Sequence, residues 1–318
     1  MWVYAAQRVF YSIPIALGVS IICFGLVYLA PGDPIQSLVP SDATAEDVET
    51  IRRLYGFDKP LPLQYLDWLM RALAGDLGMS LQTNRPVLSE VVRAFGNTLA
   101  IAVGAVVIAF VLAFALGTLA AYNIGKPIDK VATSISAIGV SIPNYWLAIV
   151  LVIVFAVNFR VLPATGMGGG GSENFNWFDW DHVRYAVLPM LTMAMIPLGV
   201  VTRSTRSAVA EILGQDFVQM LRAKGLSNTA ILYHAVRNAL PQILAVMGLQ
   251  LGYLIGGSIL IETIFTWPGT GFLMSKAILT RDIPLLQGTI LILALSFVAI
   301  NLIVDLMQTV VDPRIKRA

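Results

Sequence analysis

Residues Asn97–Tyr122 read NTLAIAVGAVVIAFVLAFALGTLAAY, a run without one acidic, basic or histidine side chain. A helix needs roughly 20 apolar residues to cross the hydrocarbon core of a bilayer. A membrane strand would be shorter and would alternate polar with apolar positions. The stretch therefore reads as a transmembrane helix. Five similar runs lie on either side of it: Val9–Ala30, Val131–Phe159, Tyr185–Thr202, Asn238–Ile261 and Ile283–Val304. Each unpaired backbone amide costs roughly several kcal/mol in hydrocarbon, so helices are the expected form. Pro143, followed by Asn144, predicts a kink or break in the third run, and Pro189 and Pro197 blur the bounds of the fourth. The first run follows Arg8, but it exceeds a signal-peptide core and no A-x-A site follows. It is expected to stay as a membrane helix.

The composition agrees. Of 318 residues, 57% are hydrophobic and 13% charged, against about 25% charged in an ordinary soluble domain. Mean hydropathy is +0.76. Disorder is excluded by this hydrophobicity, and a net charge of +2 gives no bulk attraction to nucleic acid. The single cysteine, Cys23, sits in an apolar run, which leaves no disulfide framework or CxxC site. The expected fold is an all-α integral membrane protein of six transmembrane helices.

Lysine and arginine in short loops set the orientation. With the N-terminus inside, the cytoplasmic segments hold eleven: Arg8, Lys126, Lys130, Arg203, Arg206, Arg222, Lys224, Arg237, Arg314, Lys316 and Arg317. The short outer loops hold four: Arg160, Arg184, Lys276 and Arg281. Both termini are thus expected in the cytoplasm. The chain divides into an N-terminal helix (1–30), an extracytoplasmic segment (31–96) and a helical core (97–318). The core carries a cytoplasmic loop at 203–238 and an outer loop at 262–284.

No Asp, Glu, Lys, Arg or His lies inside a run; Glu262 and Asp305 sit only at the ends. Ion-coupled carriers usually keep such groups within the membrane, which weighs against a carrier powered from these helices. Small residues recur every fourth position at Ala105, Ala109, Ala113, Gly117 and Ala121, and at Gly248, Gly252 and Gly256. They permit close helix approach, either within this chain or against a partner.

Catalytic motifs are missing. There is no HExxH or GxSxG, and the histidines are His182 and His234 only, so neither a metal site nor a membrane enzyme is supported. Gly166–Gly171 formally matches GxGxxG but leads into Ser172-Glu173-Asn174 without a βαβ context. Phe175, Trp177, Phe178 and Trp180 beside it read as an interfacial aromatic belt. No Walker A sequence occurs, and Gly125-Lys126 continues with Pro127. If ATP powers transport here, another polypeptide must bind it.

In the cytoplasmic loop, Val209, Ile212, Leu213, Phe217, Met220 and Leu221 recur at helical spacing and form one apolar stripe. Arg222 and Lys224 suit a helix C-terminus, and Gly225 suits the left-handed position after it. Ser227 is placed to cap a second short helix through Tyr233, His234 and Arg237 to Asn238. The stripe either folds back on its own bundle or docks in a partner's groove.

At this loop the sequence resembles the inner-membrane permeases of binding-protein-dependent ABC importers, whose loop has the form E-A-A-x3-G-x9-I-x-L-P. Gln219, Met220 and Leu221 stand at the triplet, Gly225 at the glycine and Asn238 at the proline, with Pro241 three residues on. The departures are typical of the dipeptide/oligopeptide/nickel branch, whose usual wording matches Arg222–Leu226 and Arg237–Leu240. Pro31-Gly32-Asp33-Pro34, Gly56–Leu61, Gln64, Tyr65, Trp68, Gly75–Gly78 and Ser80 are similar to the same branch. So are Glu262, Phe265, Trp267, Pro268, Gly269, Gly271, Arg281, Asp282, Pro284, Gln287 and Gly288.

The resemblance implies half of a translocation pathway in a bacterial inner membrane. It implies a homologous second permease, two cytoplasmic ATPase subunits carrying ATP and Mg, and an extracytoplasmic solute-binding protein. No cofactor is implied for this chain. The ATPases would dock on the region Phe217–Leu226 with Arg237 and Asn238. Residues 35–96 would form a cap contacting the binding protein. The 262–288 loop, with Trp267 and Phe272, would be a re-entrant feature near the substrate mouth; alternatively glycine and proline there only shape turns and Arg281 pairs with a nearby carboxylate. The implied solute is a di- or oligopeptide, with nickel chelates, glutathione, opines and oligosaccharides as family alternatives. An ion-driven carrier or channel is the rival outside the family.

Overall fold

The computed structural model describes residues 2–29, 46, 49, 58–171 and 175–311. Pro31–Pro34, Gly56, Phe57, Ser172–Asn174, Arg314, Lys316 and Arg317 lie outside the described residues. The named helices are α1 (Trp2–Leu29), α2 (Leu61–Leu73), α3 (Val87–Tyr122), α4 (Pro127–Ser141) and α5 (Asn144–Leu151), which continues as a π-helical segment, Val152–Asn158. They are followed by α6 (Trp180–Leu213), α7 (Asp216–Ala223), α8 (Asn228–Gly256), α9 (Ile259–Ile264), α10 (Thr270–Leu279) and α11 (Ile283–Val311). The described residues form no strand, only one isolated bridge, Met79 with Pro86.

Among the described residues, four helices, α1, α3, α6 and α11, are long and apolar enough to cross a bilayer. A fifth crossing follows if α4, α5 and the π-helical segment count as one span, broken by a 102° bend. The break falls where Pro143 was expected to interrupt the third run. Proline withholds an amide and disfavours a helical residue before it. The predicted fifth run, in α8, is not among these candidates.

Several boundaries differ from the sequence expectation: α3 starts at Val87 rather than Asn97, inside the predicted extracytoplasmic segment. Ser227 accepts a bond from the Ala230 amide (3.3 Å) and starts α8. That helix runs on through Pro241, so the short second helix and the fifth run are one element. Likewise α6 continues past Thr202 to Leu213, with Pro189 and Pro197 inside it.

Inter-helix neighbours fix the relative directions. A Cβ on Gly104 would meet Met190, and one on Gly117 would meet Thr202 and Thr205, so α3 and α6 run parallel. Ser136 bonds the Gly199 carbonyl (2.6 Å), and Arg206 reaches Asp129 near the start of α4, so α4 opposes α6. Gly248 faces Val304 and Gly252 faces Phe297, so α8 opposes α11. Arg8 pairs with Asp305 (2.9 Å) and Gln287 reaches the Cys23 carbonyl (3.4 Å), so α1 also opposes α11. Asp282, beside the start of α11, meets Ser80, ahead of α3 (2.6 Å), and a Cβ on Gly288 would meet Val87, so α3 and α11 start side by side and run parallel. The directions alternate along the chain.

The small-residue ridge of α3 is internal. Ala105, Ala109, Ala113 and Gly117 are buried in the core that α3 shares chiefly with α6. Gly248 and Gly252 seat α11 on α8, whereas Gly256 has open space beside it. A side chain at Gly199 would lie 2.6 Å from the Ser136 carbonyl oxygen, and one at Gly96 would meet nothing within 4 Å. Gly199→Ala is therefore expected to destabilise the fold by about 1–3 kcal/mol. Thermal unfolding in detergent should show a lowered midpoint for it and none for Gly96→Ala.

Candidate functional site

The residues singled out in the sequence gather at opposite ends of the bundle. At the end holding the N-terminus of α3, the turn between α9 and α10 folds around Glu262, which is fully buried. Its carboxylate accepts bonds from the Thr98 hydroxyl (2.8 Å) and the amides of Gly271 (2.7 Å) and Phe272 (3.2 Å). The carboxylate thereby serves two orphan donors of the first turn of α10 and favours the positive end of its dipole. Thr98 also accepts from the Thr270 amide (2.8 Å). The Trp267 indole donates to the Asn97 carbonyl (3.0 Å), and the Asn97 amide returns a bond to the Pro268 carbonyl (2.8 Å).

Two glycines are dictated by this knot. A Cβ at Gly269 would sit 2.4 Å from a Glu262 oxygen, and one at Gly271 would sit 2.4 Å from the Ile259 Cα. Phe265 is buried and its carbonyl takes the Gly166 amide (2.8 Å), tying the glycine-rich loop to the knot. Phe175 packs edge-on against Trp267 at 5.6 Å.

Glu262, Phe265, Trp267, Gly269, Gly271 and Asp282 are thus interior residues. Of the predicted mouth residues, Pro268 and Gly269 border a cavity of about 250 Å3, beside Arg85, Glu90, Arg93, Phe272 and Lys276. Asp282 accepts from the Ser80 hydroxyl (2.6 Å) and the amides of Gln82 (3.3 Å) and Leu285 (3.2 Å). The pairing expected for Arg281 is not found among the described residues. Arg281 is exposed, in the left-handed region (φ 54°), and closes α10 by bonds Asp282 N to Ala277 O and Arg281 N to Ile278 O.

At the other end, the 203–238 segment is almost wholly helical. The apolar stripe is divided by the break at Gly214-Gln215. Val209, Ile212 and Leu213 fold back against Ala235, Ala239 and Ile243 of α8. In α7 it is Val218 that is buried, a residue outside the predicted stripe, while Phe217 and Leu221 are half-buried and Met220 is exposed. Gly225, at φ 78°, forms a Schellman turn with Leu226 N bonded to Leu221 O (3.2 Å) and Gly225 N to Arg222 O (2.9 Å). Around that turn Gln219, Met220, Arg222, Lys224, Tyr233, Arg237 and Asn238 are exposed.

Sequence reasoning missed the bidentate contact of Arg206 with Asp129, in which Nη2 lies 2.9 Å from Oδ2. Asp129 also takes the Gly125 amide (2.9 Å). Each residue was legible only as a loop charge, because their 77-residue separation carries no local period.

Two family models match the chain. The binding-protein-dependent transport system inner membrane component matches residues 113–317, and its N-terminal counterpart matches residues 1–102. The chain is 34% identical to the dipeptide transport system permease protein DppB of Alkalihalophilus pseudofirmus, over 99% of this chain and 100% of that one. It is 38% identical to a putative peptide transport system permease protein of Brucella abortus, over 98% of each. It is 34% identical to the glutathione transport system permease protein GsiC of Escherichia coli, again over 98% of each. Among solved structures, a chain of the inward-facing MetNI methionine ABC transporter matches with a TM-score of 0.56 at 18% identity. That match covers 70% of this chain and 95% of the other, and it speaks to the fold alone.

Glu262→Ala would leave the Thr98, Gly271 and Phe272 donors facing an apolar gap, at about 1–3 kcal/mol for each donor left unpaired. Glu262→Gln keeps one acceptor. Thermal midpoints in detergent should fall in the order wild type, Gln, Ala.

Proposed function

The chain belongs to the binding-protein-dependent transport system inner membrane components, and we propose that within this family it forms half of the translocation pathway for di- or oligopeptides. It is a permease subunit of an ABC importer in the bacterial inner membrane, and not itself an enzyme. One observation carries the peptide reading: relatives matched over nearly their whole length are named for dipeptide, peptide and glutathione transport, and glutathione is itself a tripeptide.

In this reading the chain crosses the membrane six times with both termini in the cytoplasm. The alternating helix directions support it, since they place α1, the α4–α5 pair and α8 opposite to α3, α6 and α11. Lys126, Lys130, Arg203, Arg206, Arg222, Lys224 and Arg237 gather at the α7 end, which is the cytoplasmic one by the positive-inside rule. A homologous permease completes the pathway, and an external solute-binding protein delivers the peptide to the end that carries the Glu262 knot.

Two cytoplasmic ATPases, with their ATP and Mg, grip the α7–Gly225–α8 region. Met220 and Tyr233, with Arg222, Lys224 and Arg237 beside them, suit a groove that is apolar at its centre and acidic at its rim. Val218 anchors α7 to the bundle. The short joint at Gly214-Gln215 links α7 to α6, and the Gly225 turn links it to α8. Displacement of α7 by the ATPases therefore pulls on two membrane helices together, and the packed bundle answers by moving between two arrangements.

Reconstituted with the second permease, both ATPases and the loaded binding protein, the chain should accumulate peptide in vesicles only when ATP is supplied. Gradient-driven peptide uptake by the chain alone would overturn the proposal. Gly225 has open space around it, so a side chain there meets only backbone strain. Gly225→Val should lower ATP-driven uptake about tenfold, equivalent to about 1.4 kcal/mol, while assembly persists. Gly225→Asn, which tolerates the left-handed region, should retain most uptake. Equal uptake by the two variants would count against the turn as the coupling element.

A further inference from the structure

The helix α2 presents an apolar face that the described residues leave uncovered. Leu63, Leu66, Met70 and Leu73 recur at three- and four-residue spacing, and each is 51% to 75% exposed. Asp67 and Arg71 lie to one side of the stripe; Asp67 pairs with Lys59 (2.6 Å), and both partners are exposed. The opposite face packs on α1, where Tyr65 exchanges a hydrogen bond with Ser20 (2.8 Å). Phe24 packs against Tyr65 at 5.6 Å and against Trp68 at 5.9 Å.

These contacts fix the depth of α2. The apolar span in α1 covers Gln7–Leu26. Ser20 therefore lies about 9 Å inside the end of that span, at 1.5 Å per residue. A second marker agrees. The chain leaving α2 brings Leu77 to 3.4 Å from a Cβ built on Gly288, about 7.5 Å along α11 from Ile283. Both neighbours are membrane-spanning candidates, and α1 exposes Ile13, Ile15, Leu17, Ile21 and Ile22 around its own span. A solvent-facing cap would leave four large apolar side chains in water at this level, the kind of contiguous patch that soluble surfaces avoid.

We propose that α2 is an interfacial helix, embedded in the leaflet that holds the C-terminal end of α1, with Leu63, Leu66, Met70 and Leu73 among the acyl chains. Asp67, Lys59 and Arg71 lie on its headgroup side, and Tyr65 and Trp68 clamp it to α1 at the level where amphipathic aromatics gather. The inference goes beyond the transport reading and does not depend on which solute is carried. For the part of residues 35–96 that α2 occupies, it places the apolar stripe in lipid and not against the binding protein.

Spin-label accessibility on the assembled transporter in lipid nanodiscs tests it. Cys23→Ala removes the native thiol, and single cysteines are placed at Leu66 and Met70 on the stripe and at Asp67 and Arg71 beside it. Retained ATP-driven uptake shows that each labelled complex is intact. The expected result is an oxygen-to-nickel-chelate accessibility ratio several-fold higher at 66 and 70 than at 67 and 71. Nitroxide-bearing lipids should also broaden the stripe labels selectively. Equal ratios on both faces would place α2 in water and overturn the proposal. Low accessibility of the stripe to both reagents would overturn it too, by showing that a protein surface covers it.

Discussion

Close approach of α3 and α6 is the constraint on which the rest of the bundle rests. Lipid tails are as apolar as leucine, so the hydrophobic effect does not drive membrane helices together. They associate through packing. Ala105, Ala109, Ala113 and Gly117 remove bulk from one side of α3, and α6 moves into that space until the Thr205 side chain lies where a Gly117 Cβ would be. The parallel pair then serves as a common wall. α4 seats its glycine Gly139 against Gly199 on the same wall. α8 packs against both α6 and α11, and α11 in turn carries α1.

Polar chemistry is confined largely to the two ends of this wall, and there it is dense. One end holds the Glu262 and Asp282 carboxylates, each buried and each accepting backbone amides. The other holds the Asp129–Arg206 pair, with side-chain exposures of 7% and 30%. Burying a carboxylate is costly unless every lone pair finds a donor, and the costs of leaving one unmet are large. These groups therefore act as fixed points, around which short helices turn. Thr266 and Arg281 accept left-handed backbone at such turns, φ 49° and 54°. Strain of this kind persists only where the surroundings determine it.

The sequence carried the bundle because its signal is one-dimensional. An uninterrupted apolar run such as Asn97–Tyr122 reports its own environment without reference to any other residue. The Pro143 break and the Gly225 turn were equally local, each dictated by one residue type. What escaped was relational. Ser227 is a good cap, but nothing near it tells whether the helix it starts will stop or run through Pro241. Val218 and Met220 are equally apolar, and only the placement of α8 decides which is buried. The Glu262 knot joins residues 164 positions apart through Thr98, and its glycines were visible as turn-formers without the carboxylate they make room for.

The sharp corner at Pro143 has a mechanical meaning. An unbroken helix is stiff along its axis because each turn is bonded to the next, so a shove at one end arrives undiminished at the other. Where the axis swings through 102° the path is cut. Packing takes over where the bonding stops: Ser136 holds α4 to the Gly199 carbonyl of α6 ahead of the corner, and α5 rests on the same helix beyond it, so both arms of the bend lean on one support.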